Sequence, residues 1–354
     1  MTSPIAPVLL SLLLITIVFP GSASAGYLSQ AIFGHIEIYK SRKPIKKIIE
    51  NPATDERLKN KLETVVKIRQ FSIDELSLPD NGSYRGYVSL KRKYVAWNAI
   101  AAEEFSLRPK RWCFPFAGCV SYKGYFEREK AEKFGHELRS EGLDVAILPV
   151  AAYSTLGWFD DPILNTFLRW PDQNLAGLIF HELAHAQLYV KNDSAFNESF
   201  AKVVEIEGVR RWLNKNGTSE QKVAYAKYQV RRNLFVDLVL KYRGELAELY
   251  KSSVPIEEMR EKKKSILARM RDEYINREDE FGKMSRQRKL FFDDLNNAKI
   301  VSVFTYYTYV PAFEAILRKE NGDLTKFFRE AKVLSRLSKA KRRETLEALA
   351  AFKE

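Results

Sequence analysis

The run Phe180-His181-Glu182-Leu183-Ala184-His185 decides how this chain is read. It sits inside a helical pattern that extends from Asp172 to about Tyr189. In a helix, His181 and His185 lie one turn apart on one face, about 6 Å from each other. Two imidazoles at that spacing can share one zinc ion at about 2.0–2.1 Å each. Glu182 follows the first ligand but is angled off it, so its carboxylate reaches a water on the metal and not the metal. The spacing H-E-x-x-H therefore has a mechanical reason: two ligands and a general base on one turn. The expected reaction is hydrolysis of a peptide bond by a zinc-activated water. Glu182 takes the proton and passes it to the leaving amine.

Histidine scarcity restricts the third ligand. The chain has four histidines, His35, His136, His181 and His185, and none follows His185. A catalytic zinc takes three protein ligands and keeps one open position, so a carboxylate must complete the set. Asp193 and Glu198 are the candidates. Asp193 stands in the turn Lys191-Asn192-Asp193-Ser194 and reads as a helix cap. Glu198 lies on the first turns of the next helix, which can pack against the first and aim it at the same ion. The expected metal set is His181, His185 and Glu198, with one Zn2+ per chain. The competing reading of Glu198 is an exposed first-turn glutamate favoured by the helix dipole. His35 and His136 have no metal-like spacing and read as surface or satisfied polar residues.

Outward from this run, the N-terminus is informative. Residues 8–19 are almost wholly apolar, Pro20 and Gly21 break the run, and Ala23-Ser24-Ala25 supplies an A-x-A pattern. This reads as a secretory signal peptide over residues 1–25, with an uncleaved anchor as the alternative. No Lys or Arg precedes the apolar run, a departure from the usual pattern. The expected location is exported, in a bacterial periplasm or at the outer face of the inner membrane. No second long apolar stretch is expected to cross the membrane. Cys113 and Cys119 flank a segment with Pro115 and Gly118, which suits a tight disulfide-closed loop in an exported chain; two buried thiols are the alternative.

The 354 residues, 45% hydrophobic and 12% aromatic, suffice for one large domain or two modest ones and argue against a disordered chain. The formal net charge of +13 attracts anions. Lys and Arg are interspersed with Asp and Glu, however, so a solvated surface is the better reading. No nucleic-acid motif is present, and export argues against nucleic acid. The runs Lys262-Lys263-Lys264 and Lys341-Arg342-Arg343 read as solvated helix faces, with peripheral contact to an anionic membrane surface as the alternative.

Residues 27–76 are expected to be helical, with Thr54 capping a helix that starts near Asp55. Strands are expected at 94–100, 120–126 and 144–150, the last buried on both faces, and an amphipathic helix at 127–140. Asp161 is expected to cap a short helix with Pro162 at its first position. Beyond 195 everything reads helical. One helix ends at Asn216-Gly217, where Gly suits the left-handed position. Two long charged helices, 220–251 and 255–290, can pair as a hairpin, and later helices are capped by Asp323 and Ser338. The domains read as 26–217, catalytic, and 218–354, a helical domain that completes the site.

At these residues the sequence resembles a bacterial family of putative aminopeptidases, of the broader gluzincin type. The likeness includes 34–45, Leu78-Pro79-Asp80-Asn81, 112–115, Gly118-Cys119-Val120, Gly124-Tyr125-Phe126 and 153–164. It continues through His181 to His185, Tyr189-Val190-Lys191, Phe196 to Ala201 and Val310-Pro311-Ala312-Phe313, and so spans most of the chain. The resemblance implies an α+β, zincin-like fold: a small mixed sheet and the active-site helix, then a mostly helical C-terminal half with a long hairpin. It also implies removal of N-terminal residues from peptides. Many gluzincins place an Asp four residues after the ligand Glu to hold a zinc histidine. Here that position is Lys202, so another acceptor is needed, and Glu205 is the candidate. No Cys follows the apolar N-terminal run, which argues against a lipoprotein.

An oxyanion donor is also needed. Gluzincins often use a Tyr or His after the metal site, and Tyr306 is the first choice, with Tyr307, Tyr309 and Tyr153 as rivals. The bland reading of these tyrosines is packing between helices. Trp158, Asp160 and Asp161 can line a cleft, and the acidic pair can hold a substrate's free amine. The alternative to a peptidase is an exported zinc-binding scaffold whose long helices recruit a partner. The intact Glu182 argues against it.

Overall fold

The computed structural model describes residues 34–114, 118–152 and 160–351. The signal-like segment, Tyr153 and Trp158 lie outside these residues. The strands in chain order are β1 (Lys43–Pro44), β2 (Gly86–Val88), β3 (Ala96–Glu103), β4 (Trp112–Phe114), β5 (Gly118–Val120), β6 (Lys123–Tyr125), β7 (Leu143–Val150) and β8 (Ile163–Leu164). The helices of ten residues or more are α1 (Glu56–Asp74), α2 (Arg128–Ser140), α3 (Asp172–Gln187), α4 (Ser194–Asn216), α5 (Ser219–Lys251), α6 (Ile256–Asn276), α7 (Asn297–Tyr307), α8 (Val310–Lys319), α9 (Leu324–Ser335) and α10 (Lys339–Ala351). Strands thus precede the helical half, and the helices dominate.

The largest sheet is antiparallel, in the order β6-β3-β7. The small, apolar residues of β3 let helices approach closely on both sides. Ala99 meets Ala131 of α2, while Ile100 meets Ala298 and Val301 of α7. This accounts for the mostly apolar strand at 143–150, in which Asp144 is the one charged residue: the sheet carries a helix on each face. A second, mixed sheet joins β1, β2 and β8, with β2 and β8 parallel. The hairpin β4–β5 sets Cys113 opposite Cys119, and the two form a disulfide.

The main core runs from Ile38 to Leu346, so the last helices share it with α1, α3 and α4. Phe200 of α4 stacks on Phe327 of α9 at 5.6 Å, and Phe196 meets Phe313 of α8 edge-on at 5.2 Å. Gly208 of α4 lets that helix press on α3; a Cβ there would lie 2.7 Å from the Phe180 ring. The hairpin α5–α6 has its own core around Phe235, Val239, Met270 and Tyr274.

Several boundaries differ from the sequence reading, each for a physical reason. The extended pair β1 interrupts the N-terminal helical stretch, and Asp55, not Thr54, caps α1 through the Leu58 N–H. The Thr54 hydroxyl instead donates to the Ile48 carbonyl. Asp161 caps no helix, since strand β8 follows it, and Leu164 occupies the cap position of the short helix Asn165–Leu168. Gly217 is extended, with φ −94°. It is glycine for lack of room, because a Cβ would come within 2.8 Å of the Leu213 carbonyl. The second hairpin helix stops at Asn276 instead of near 290. Gly282 then turns the chain at φ +74°, where a Cβ would meet Arg231. Asp323 caps α9, and the Ser338 hydroxyl accepts from the Lys341 N–H.

The two basic runs are not wholly solvated. Lys263 is buried and pairs with Asp144 at 2.7 Å, and Arg342 is buried against Asp193. The stretch Asn297–Lys319 is, by length and composition, apolar enough to cross a membrane, contrary to the sequence reading. In this fold it is two helices, α7 and α8, meeting at Thr308 and Tyr309. Ile300, Val301, Ala312 and Phe313 sit in protein cores, and Val303, Thr305 and Tyr306 line a cleft.

Candidate metal centre and cleft

Helix α3 presents His181, Glu182 and His185, and helix α4 presents Glu198 and Glu205 against them. The turn between the two helices is tightly specified. The Asn197 side chain accepts from the Val190 N–H at 2.7 Å and donates to the Val190 carbonyl at 2.9 Å. Asp193 accepts from the Phe196 N–H as the α4 cap, and its other oxygen takes both Arg342 contacts at 2.7 and 2.9 Å. Asp193 is thus committed elsewhere, and the structure does not bring it to the histidines.

Glu198, by contrast, points between them. Its Oε2 lies 3.3 Å from His181 Nε2 and 3.7 Å from His185 Nε2. The three candidate ligand atoms all fall within 4.8 Å of one another, and the two rings stand nearly perpendicular, 85°, with centroids 4.9 Å apart. A tetrahedral ion with bonds of about 2.0–2.2 Å sets its ligand atoms about 3.3–3.5 Å apart, so this donor set fits zinc. Both histidines are buried, at 7% and 4% exposure. Without an ion, two imidazoles and a carboxylate would hold one another there with few other partners; among the described residues the buried His185 Nδ1 has no hydrogen bond.

Glu205 closes the arrangement from behind. Its Oε2 lies 3.1 Å from His181 Nδ1 and also takes the Lys202 ammonium. With a metal bound, a proton on Nδ1 donated to Glu205 would leave the Nε2 lone pair free for the ion. Burial by itself would lower the His181 pKa, but the two carboxylates outweigh it and raise it to about 9. Burial would raise the Glu198 carboxyl, yet hydrogen bonds from His181 and His185 hold it well below the usual range. Glu205 is likewise held low, by Lys202 and His181 against the cost of burial.

These groups open into a cleft of about 730 Å³ that also receives residues of β3, β7, α5 and α7. Tyr306 lines it beside the centre: its ring lies 6.5 Å from that of His181 at a 27° tilt. The nearby Glu198 carboxylate raises the Tyr306 hydroxyl pKa, so it stays a donor. Ser199 fixes this corner. Its hydroxyl donates to the Tyr306 carbonyl at 3.4 Å and accepts from the Tyr309 N–H at 3.1 Å. Tyr307 lines the cleft too, whereas Tyr309 does not.

The acidic pair does not reach the cleft. Neither residue is in its lining: Asp160 turns toward Gly82 and Arg42, 3.8 Å away, and Asp161 is buried, its N–H on the Ser83 hydroxyl and its carboxylate near the Tyr84 phenol. The sequence reading missed Tyr84, a buried phenol whose pKa is pushed up by burial and by Glu182 and Asp161. It also missed Tyr225 and Tyr228 of α5, stacked at 6.2 Å on the cleft wall. No local pattern marks these residues, because each arrives from an element far along the chain.

A family model described as "Putative aminopeptidase" matches residues 26–346, and the chain belongs to that family. Membership supports peptidase activity. No curated protein and no solved structure matches the chain.

Proposed function

We propose that this chain is an exported zinc metallopeptidase of zincin-like type. The observation that carries the reading is the convergence of His181, His185 and Glu198 within 4.8 Å, on two helices packed together, at the floor of an open cleft. These residues would hold the ion. A bound zinc would supply Lewis acidity and a water of lowered pKa. Glu182, beside the first ligand and on the cleft wall, accepts a proton there and returns it to the leaving amine. The Tyr306 hydroxyl donates to the oxygen on which charge develops. Glu205 holds the His181 ring in one tautomer, a role many gluzincins give to an Asp four residues after the ligand; at that position Lys202 neutralises Glu205 instead.

Export rests on the apolar run at 8–19 followed by Ala23-Ser24-Ala25, and the Cys113–Cys119 disulfide is consistent with an oxidising compartment. The reading is tested by elemental analysis of the purified protein beside His185→Ala and Glu198→Ala. One zinc per chain, absent from both variants, is the expected result. A parent that holds no zinc and takes none up would remove its foundation.

A further inference from the structure

The turn between the two helices of the metal centre is gripped from outside by the disulfide hairpin. Asn192 lies in that turn, between His185 and Glu198 in the chain, with φ +69°. Its Oδ1 accepts from the Cys119 N–H at 2.7 Å, and the Arg111 guanidinium donates to both the Cys119 and the Asn192 carbonyls at 3.0 Å. Gly118 makes the approach possible: its φ is +74°, and a Cβ there would lie 2.6 Å from Asn192 Oδ1 and 2.8 Å from Lys191 Cγ. The contact is a close docking of hairpin backbone on one specific side chain.

The hairpin needs its disulfide. Strands β4 and β5 have 3 residues each and, among the described residues, pair only with one another. A two-stranded ribbon of that size is marginal in water. The Cys113–Cys119 bond closes the loop and removes freedom that the open ribbon would recover. Cys113 is exposed, so a reductant can reach the bond. Beyond β5 the chain runs through Ser121 and Tyr122, which line the cleft, into β6. The hairpin thus ties the sheet wall of the cleft to the turn that sets Glu198 against the histidines. The other holds on that turn, from Asn197, Arg342 and Lys339, do not involve the hairpin.

We propose that Asn192 is a positioning residue through which the Cys113–Cys119 disulfide tightens the metal centre, so that zinc is held more firmly in the oxidised chain than in the reduced one. This rests on the zinc reading above and adds a redox control to it. Reduction by a pair of thiols sends two electrons and two protons to the S–S bond, gives two cysteine thiols, and releases the reductant as its own disulfide. The open ribbon then withdraws the Cys119 N–H and the Arg111 bridge from Asn192, and the turn regains freedom. The remaining holds keep the site formed, so the effect is a weakening and not a loss.

The test is a cycle on the full chain, read as zinc affinity by competition with a chelator. Cys113→Ser with Cys119→Ser mimics the reduced state without adding thiols that bind zinc. It is expected to weaken zinc about tenfold, within the range of about 5–150-fold usual for coupled sites. The same serine pair is then placed in a chain carrying Asn192→Gly and Arg111→Met, which removes both links while Gly keeps the positive φ. There it should change affinity by less than about twofold, as for independent sites. A change below about twofold in the parent, or an equal drop in both backgrounds, would overturn the proposal. A parent that binds no zinc removes the metal reading and the proposal with it. The unmutated chain gives the same answer should a variant not fold. Coupling is reciprocal, so saturating zinc should raise, by the same factor, the ratio of squared glutathione to glutathione disulfide that half-reduces the Cys113–Cys119 bond. An unmoved ratio overturns the proposal as well.

Discussion

The Oε2 of Glu205 lies 3.1 Å from Nδ1 of His181, on the side of the ring away from Glu198, and the same oxygen takes the Lys202 ammonium. The ring is thus clamped between two carboxylates, one at each nitrogen. Loosening the rear contact frees the ring to rotate and to change tautomer. Glu205→Gln is expected to weaken zinc affinity about 10–100-fold. The double variant with Lys202→Met separates this effect from that of a stranded buried ammonium. Competition with a fluorescent chelator measures both. Unchanged affinity in the double variant would show that Glu205 does not position His181.

The carboxylates also set a pH window. With its pKa raised to about 9 from 6.5, His181 stabilises the metal-free fold fully below pH 6.5, and this contribution is lost as pH rises through 9. Glu198 and Glu205, both depressed, contribute above their ordinary 4.5, and this is lost as pH falls below it. The metal-free protein should therefore have its highest Tm between these limits. Zinc must displace the His181 proton, so its affinity should climb with pH toward 9 with release of a proton. Calorimetry in buffers of different ionisation enthalpy counts that proton; none released would contradict this account.

Glu182 and Tyr306 are expected to act in the chemical step and not in holding the ion. Glu182→Gln should keep one zinc and lose about 10²–10⁴-fold in rate. Tyr306→Phe should lose about 10²–10³-fold in kcat. Zinc content and steady-state kinetics are measured on the same preparations. A Glu182→Gln protein with full activity would assign the base elsewhere.

Asp193 tests whether the turn between α3 and α4 is structural. It is buried against Arg342 with two contacts, at 2.7 and 2.9 Å. Arg342→Met leaves that carboxylate buried without its charge partner and should cost about 3–5 kcal/mol, read as a drop in Tm. Because Asp193 caps α4 five residues before Glu198, zinc affinity should fall as well. If Asp193→Asn lost zinc while keeping its Tm, Asp193 would be acting as a ligand.

The local parts of this site were legible in the sequence because they depend on helical geometry alone. His181 and His185 share a face at a spacing of four, and Glu182 is fixed relative to them by the same turn. The strands at β3 and β7 and the helices α2 and α3 were likewise readable from apolar periodicity, and the Asp193 and Asp323 caps from their residue type before a helix. What needed the tertiary structure was every relationship between elements. Sequence offered both Asp193 and Glu198 as the third ligand; the packing of α3 on α4 aims Glu198 inward and gives Asp193 to Arg342. Sequence read Lys263 and Arg342 as solvated, but the fold buries both against carboxylates from distant segments. Sequence allowed Asp160 and Asp161 to line the cleft, but the pairing of β2 with β8 carries them to the Gly82 side. The physical reason is the same each time. A helical or extended period states which side of its own element a residue occupies, while the partner it faces is set by elements a hundred residues away.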